Sequence, residues 1–179
     1  MTRARRLVTR VQRNRWSRKF TRNCSTTGSG LDVQGPTIVY GGGDITVGDR
    51  FCIRSRKWKP VEVFVAPGAA LSIGDEVFFN QGVRIACSMS ISIGNNCLIG
   101  DECVLLDDDF HAHGGSERKV APICLQDHVW LGTRVIVLRG VTIGEGSVVG
   151  AGSVVTRSLP PYSFAVGSPA RVIDSRAGS

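Results

Sequence analysis

No apolar run in the 179-residue sequence approaches the ~18 residues of a membrane-spanning helix, which excludes an α-helical integral membrane protein. No Cys-x-x-Cys pair occurs either. The six cysteines are therefore not the paired ligands of a zinc ribbon or a redox motif, and their scatter argues against a disulfide framework. Histidine is scarce: His111, His113 and His128 are all there are. The arginines near the amino end are not followed by the apolar h-region of a secretory leader. Together these absences predict a cytoplasmic protein with reduced thiols, at most peripheral at the inner face of the membrane.

Acids are missing altogether from residues 1–22, which hold nine basic residues from Arg3 to Arg22. The remaining 13 basic residues face all 15 acids, so residues 23–179 sum to −2 and the formal +7 of the chain belongs to its amino end. Leu7, Val8, Val11, Trp16 and Phe20 could form a ragged apolar stripe among these arginines. Such a segment could touch an anionic membrane, or it could be a solvated arm or a packing helix. No motif accompanies it that would specify nucleic acid.

What the sequence has in abundance is a period of six. Leu125, Leu131, Val137, Ile143, Val149 and Val155 are aliphatic, with Val129, Val135, Val141, Ser147 and Ser153 four positions after the first five. A helix repeats near 3.6 residues and a strand at 2, so neither alone explains the spacing. A sustained period of six marks a hexapeptide-repeat parallel β-helix, in which three short strands make a triangular coil of about 18 residues. One coil cannot bury its own aliphatic residues, so coils stack. Cys97 and Cys103 occupy the same small-residue slot and are expected in the core.

Earlier in the chain the rhythm runs through Ile73, Phe79, Ile85, Ile93, Ile99 and Leu105, with two extra residues between Ile85 and Ile93. Arg54, Arg56, Lys57, Trp58 and Lys59 depart from it as an irregular edge or short loop. A longer polar excursion, residues 107–120, contains Asp107-Asp108-Asp109-Phe110-His111-Ala112-His113. A regular scaffold broken by one polar loop is where function is expected. The expected organisation is a basic extension over 1–30, the repeat over 31–160, and a cap and tail over 161–179, the repeat ending at Pro160-Pro161.

Residues 35–175 resemble the hexapeptide acyltransferases, particularly galactoside, maltose and exopolysaccharide or sugar O-acetyltransferases. The likeness rests on Asp127-His128-Val129-Trp130-Leu131-Gly132, Gly140-Val141-Thr142-Ile143-Gly144, Val149 through Arg157, Leu159 through Ser163, and Gly167 through Ile173. The resemblance implies a left-handed β-helix, a homotrimer with active sites between subunits, and acetyl transfer from acetyl-CoA to a sugar or glycan hydroxyl without a metal. It implies His111 as general base in preference to His113, and the backbone N–H of Thr133 as oxyanion donor. Asp109, Asp108 or Asp107 could orient the imidazole. Asn80, Trp130 and His113 would face the acceptor, and Gly132, Gly150, Ala151, Thr156, Arg157 and Arg171 would line the coenzyme groove. Asp174 stands where the family often has a further basic residue. His128 reads as structural.

Other readings are an N-acetyltransferase on an amino or nucleotide sugar, a γ-carbonic-anhydrase-like zinc enzyme, and a non-catalytic β-helix scaffold. The three histidines lack the spacing of the zinc enzyme.

Overall fold

The computed structural model describes residues 15–111 and 117–175, and every structural statement below concerns these. Twenty short strands wind into a left-handed parallel β-helix with three flat faces. Sheet A contains β1 (Thr26–Thr27), β4 (Asp44–Val47), β7 (Ala70–Ile73), β10 (Ser90–Ile93), β13 (Ile123–Leu125) and β16 (Thr142–Ile143). Sheet B contains β2 (Asp32–Gln34), β5 (Cys52–Arg54), β8 (Phe78–Phe79), β11 (Leu98–Ile99), β14 (Trp130–Leu131), β17 (Val148–Val149), β19 (Ser163–Gly167) and β20 (Ala170–Ser175). Sheet C contains β3 (Thr37–Tyr40), β6 (Val61–Val65), β9 (Arg84–Cys87), β12 (Val104–Leu106), β15 (Ile136–Leu138) and β18 (Val154–Val155). From β1 to β18 each strand pairs with the strand three places on, so each of these coils lays one strand on every face, and β17 then pairs β19.

The sixfold pattern becomes an inward column on each face. Leu125, Leu131, Val137, Ile143, Val149 and Val155 are all buried, and so are Val129, Val135, Val141, Ser147 and Ser153. The parallel register puts Ile93 beside Leu125 and Leu125 beside Ile143, so one aliphatic side chain rests on another coil after coil. Cys97 and Cys103 are buried as expected, and burial pushes both thiols up to about 11, far from a reactive thiolate.

The edge between sheets A and B is held by a ladder of short polar side chains. The backbone N–H of Ser29 donates to Asp49 Oδ1, that of Asp49 to Asp75 Oδ1, that of Asp75 to Asn95 Oδ1, and that of Asn95 to Asp127 Oδ1, at 2.6–2.8 Å. The glycines before these residues allow the approach: a Cβ on Gly94 would stand 2.3 Å from Asp127 Oδ1. His128 belongs to this edge, its N–H donating to the Asn95 carbonyl.

Several boundaries differ from those expected. A helix, α1 (15–21), buries Phe20 against Phe51 with ring centroids 5.6 Å apart, and Phe51 meets Phe79 edge-on at 5.0 Å. Trp16 packs against the same core. Of the three readings of this segment, the packing helix is the one that Trp16 and Phe20 follow, at the open end of the stack, while Leu7, Val8 and Val11 lie outside the described residues. The β-helix begins at β1, inside the segment expected to be an extension. At the other end Pro160-Pro161 is a corner: Pro161 N would meet a Cβ on Gly144, and β19 continues parallel to β17 before β20 folds back antiparallel. The eight-residue step from Ile85 to Ile93 is not an isolated insertion, because Val39 to Val47 also takes eight residues around the same corner and Val63 to Ile73 takes ten.

Phe51 joins the cap to the coils and is fully buried. Phe51→Ala should lower unfolding free energy by about 3–5 kcal/mol, measured by denaturant titration. A loss below ~1 kcal/mol would show that α1 does not close the core.

Candidate active site

The residues singled out for chemistry fall on two different edges of the triangular prism. Asn80, Gly132 and Gly150 share one column on the edge between sheets B and C, because Phe79, Ile99, Leu131 and Val149 are in register immediately before them. Thr133 and Ala151 follow on the same edge. Gly132 is a close-approach position: a Cβ there would lie 2.8 Å from the Ala151 nitrogen. Among the described residues no protein acceptor meets the Thr133 N–H, whereas the equivalent N–H of Gln81 is taken by Asn80 Oδ1 at 2.9 Å. Arg171 is exposed on β20 opposite Val166, one coil above Gly150.

His111 leaves the prism on another edge, between sheets C and A, with Thr156 and Arg157 two coils above. Its loop is anchored by three consecutive carboxylates with three separate tasks. Asp107 is fully buried and accepts from the N–H groups of Ser88, Met89 and Ser90 at 2.6–2.9 Å, closing the corner below. Asp108 is buried too; it binds Arg118 through both oxygens and accepts from the Phe110 N–H at 2.8 Å. Asp109 Oδ1 lies 2.7 Å from Arg139 Nε.

The consequence for His111 is a fixed departure point. Phe110 holds a left-handed φ of 57°, which a bulky side chain rarely adopts without surrounding support. Asp108 supplies that support from one side. The His111 N–H donates to the Asp109 carbonyl at 2.7 Å, and the His111 side chain is exposed. The carboxylate of Asp109 is therefore engaged by Arg139, and its contact with His111 is through the main chain. His113 lies outside the described residues.

Trp130 projects outward from sheet B, half exposed, beside Tyr162 and Phe164 over a hollow of about 330 Å³. It is on the outer face of sheet B, two residues before Gly132 in the column that it shares with Asn80. Asp174 closes that hollow, an acid where a base was expected by likeness. Asn80 lines another hollow of about 320 Å³ with Arg54, Arg56, Gln81 and Asp101.

Sequence reasoning missed the partners of the triplet Asp107 to Asp109. Arg118 and Arg139 are separated from them by 10 and 30 residues; the return of the loop to sheet A brings Arg118 close, and the stacking of β15 on β12 brings Arg139 close. His111 and His128 stand on different edges, and among the described residues no group of three or more His, Cys, Asp or Glu side chains could hold a metal ion. No described helix is long and apolar enough to cross a membrane.

Comparison with known proteins agrees with this architecture. Residues 125–157 match the bacterial transferase hexapeptide family (six repeats), and residues 70–100 and 90–105 match the hexapeptide repeat of succinyl-transferase. Galactoside O-acetyltransferase of Escherichia coli is 35% identical over 120 residues, 65% of this chain and 59% of that protein. A hexapeptide-repeat acetyltransferase of Vibrio cholerae, solved with acetyl coenzyme A, is 25% identical with a TM-score of 0.60, covering 97% of this chain and 90% of that one. The N-acyltransferase AntD of Bacillus cereus, solved with dTDP-4-amino-4,6-dideoxyglucose and coenzyme A, shares the fold at 22% identity and a TM-score of 0.71, covering 90% and 89%. The chain spans 32% to 59% of the length of the curated relatives it matches.

The carboxyl of Asp108 is held well below the usual carboxylate range, chiefly by its hydrogen bonds from Arg118. A depressed folded-state value stabilises above the unfolded value of about 4 and loses that stabilisation as pH falls through the folded value. The melting temperature of wild type should therefore exceed that of Asp108→Asn most at pH 7, with the gap shrinking by pH 3. A gap independent of pH would show that the ion pair does not anchor the loop.

Proposed function

We propose, from its likeness to hexapeptide-repeat acetyltransferases, that this chain transfers an acetyl group from acetyl-CoA to a hydroxyl of a sugar or glycan, at sites assembled between copies of the chain. The observation that carries the reading is the division of the site. His111 is on the edge between sheets C and A, while Thr133, Gly132, Gly150 and Ala151 are on the edge between B and C. Strand β15 alone separates those edges by roughly 10 Å at ~3.3 Å per residue. A closed ring of three copies juxtaposes one edge of each with a different edge of the next, which would complete each site.

In that arrangement the His111 imidazole accepts the proton of the acceptor hydroxyl as its oxygen attacks the thioester carbonyl. The carbonyl oxygen becomes an oxyanion, and the unpartnered Thr133 N–H of the adjoining copy donates to it. Collapse of the tetrahedral intermediate breaks the C–S bond. The imidazolium then returns its proton to the departing thiolate, giving the O-acetyl ester and free coenzyme A.

A pantetheine arm would lie along the outward main chain at Gly132, Gly150 and Ala151, the two glycines serving the close approach of the coil above. Arg157 and Arg171 are exposed guanidinium groups suited to phosphate, being permanently charged and able to form paired hydrogen bonds. Asp108 and Arg118 hold the start of the loop, so they position the base without touching substrate. Similarity to galactoside O-acetyltransferase supports a hydroxyl acceptor, and Asn80, in the polar hollow below Gly132, is the proposed acceptor contact.

Replacing His111 by Ala should lower acetyl transfer at least ~100-fold, read as free thiol released with a panel of sugars, with acetyl-CoA affinity unchanged. Loss of activity in His113→Ala with His111→Ala still active would overturn the assignment.

A further inference from the structure

The regular spacing of the edge between sheets B and C is broken once among the described coils. Six residues separate the inward positions Phe79 and Ile85, Ile99 and Leu105, Leu131 and Val137, and Val149 and Val155, but Ile53 and Val63 are ten apart. The four extra residues make a tight two-residue turn. Arg56 and Lys59 exchange backbone hydrogen bonds, 3.3 Å and 2.9 Å, with Lys57 and Trp58 at the tip.

This turn is a rigid projection. Ser55 below it donates to the carbonyls of Gln34 and Pro36, and the Lys59 carbonyl accepts from the Gly82 N–H in the coil above at 3.2 Å. The Lys59 ammonium pairs with Glu102 two coils up, at 2.5 Å. Trp58 at its tip is 75% exposed, the largest exposure among the big apolar side chains described. Within a single copy this indole has no packing role.

Polar hollows lie on both sides. One, about 360 Å³, is lined by Trp58, Lys59, Glu62, Arg84 and Glu102. The other, about 320 Å³, is the hollow of Asn80, Gln81, Asp101 and Arg56. The Arg56 guanidinium stands 6.0 Å from the indole centroid. Arg54, Lys59 and Arg84 are paired with Asp32, Glu102 and Glu62, whereas no described carboxylate pairs with Arg56 or Lys57.

We propose that this turn is a carbohydrate platform that takes a second sugar unit of an acidic oligosaccharide acceptor, stacking it on the Trp58 indole with its carboxylate toward Arg56 and Lys57. A pyranose ring offers an apolar C–H face and a rim of hydroxyls. The indole supplies broad apolar contact at little entropic cost, and carboxylates and amides in the flanking hollows meet the hydroxyls. Two unpaired cations at the tip select an acid group. The position is right for an extended acceptor: the turn adjoins Asn80 on the edge that carries Thr133, so the first sugar lies in the Asn80 hollow and the next over Trp58. This inference rests on the proposed sugar acetylation for its biological meaning, while its test reads sugar binding alone.

The test is calorimetric titration of the full chain, without acetyl-CoA, using the galacturonic acid trimer, its neutral counterpart galactotriose, and galactose. The galacturonic acid trimer should bind wild type about tenfold tighter than it binds Trp58→Ala, and Arg56→Gln should erase its advantage over galactotriose. Galactose affinity should be unchanged by Trp58→Ala. Equal affinity of the trimer for wild type and Trp58→Ala, or no binding of either trisaccharide, overturns the proposal, as does a change of oligomer mass in Trp58→Ala by light scattering, which would make the indole an interface residue. Failure here with His111-dependent acetylation of monosaccharides intact would remove the platform only. Trisaccharide binding without any acetyl transfer would remove the enzymatic reading and leave the platform.

Discussion

Everything in this molecule depends on coils stacking in register. A coil of three short strands has an inward aliphatic residue on each face and no means of covering it alone, so each column must continue through its neighbours. At ~25 cal/mol per Å² of apolar surface removed from water, the 36 buried apolar residues of the core dominate the favourable terms, although conformational entropy offsets most of the gain. The demand for continuity also explains the ends. Phe20 from α1 and the folded-back β20 lie where there is no further coil to cover the column.

Regularity leaves little room for function, because a side chain that must be buried, or a glycine that must admit a neighbouring carboxylate, cannot also be chosen for chemistry. The proposed functional residues accordingly lie where the coil is free to depart from its spacing, and on the outward positions of its edges. The excursion that carries His111 departs by the largest amount. It remains attached because Asp107 satisfies three main-chain donors of the corner below and Asp108 ties both ends of the loop together. The smaller departure, at Arg56 to Lys59, has the same construction: bonds to the coils above and below fix a turn whose tip is free.

The period of six made the fold legible from the sequence, since each inward position was readable as an aliphatic residue in phase. Cys97 and Cys103 were legible for the same reason. The ends were harder to read. Trp16 and Phe20 lie in an arginine-rich context that looks like a surface segment, and only the three-dimensional stack reveals an exposed coil end beside them. Pro160-Pro161 reads as a terminator, yet a proline at a corner removes no ladder hydrogen bond and the coil continues past it. The candidate site was legible as a set of residue types but not as a geometry. Counting residues cannot show that Asn80, Gly132 and Gly150 share a column while His111 is on another edge, or that Arg118 and Arg139 claim the carboxylates beside His111.

The central claim is that a working site needs two copies, one presenting His111 and the other presenting the edge of Thr133 and Ala151. Co-expression of His111→Ala with Ala151→Trp, the second blocking the groove and each inactive alone, tests it most directly. Random mixing in a ring of three would leave roughly a quarter of the sites with both edges intact. The account predicts recovery of acetyl transfer toward a quarter of wild type in the mixed oligomer. Activity that stays at the level of the separate variants would contradict it, because every site would then lie within a single copy.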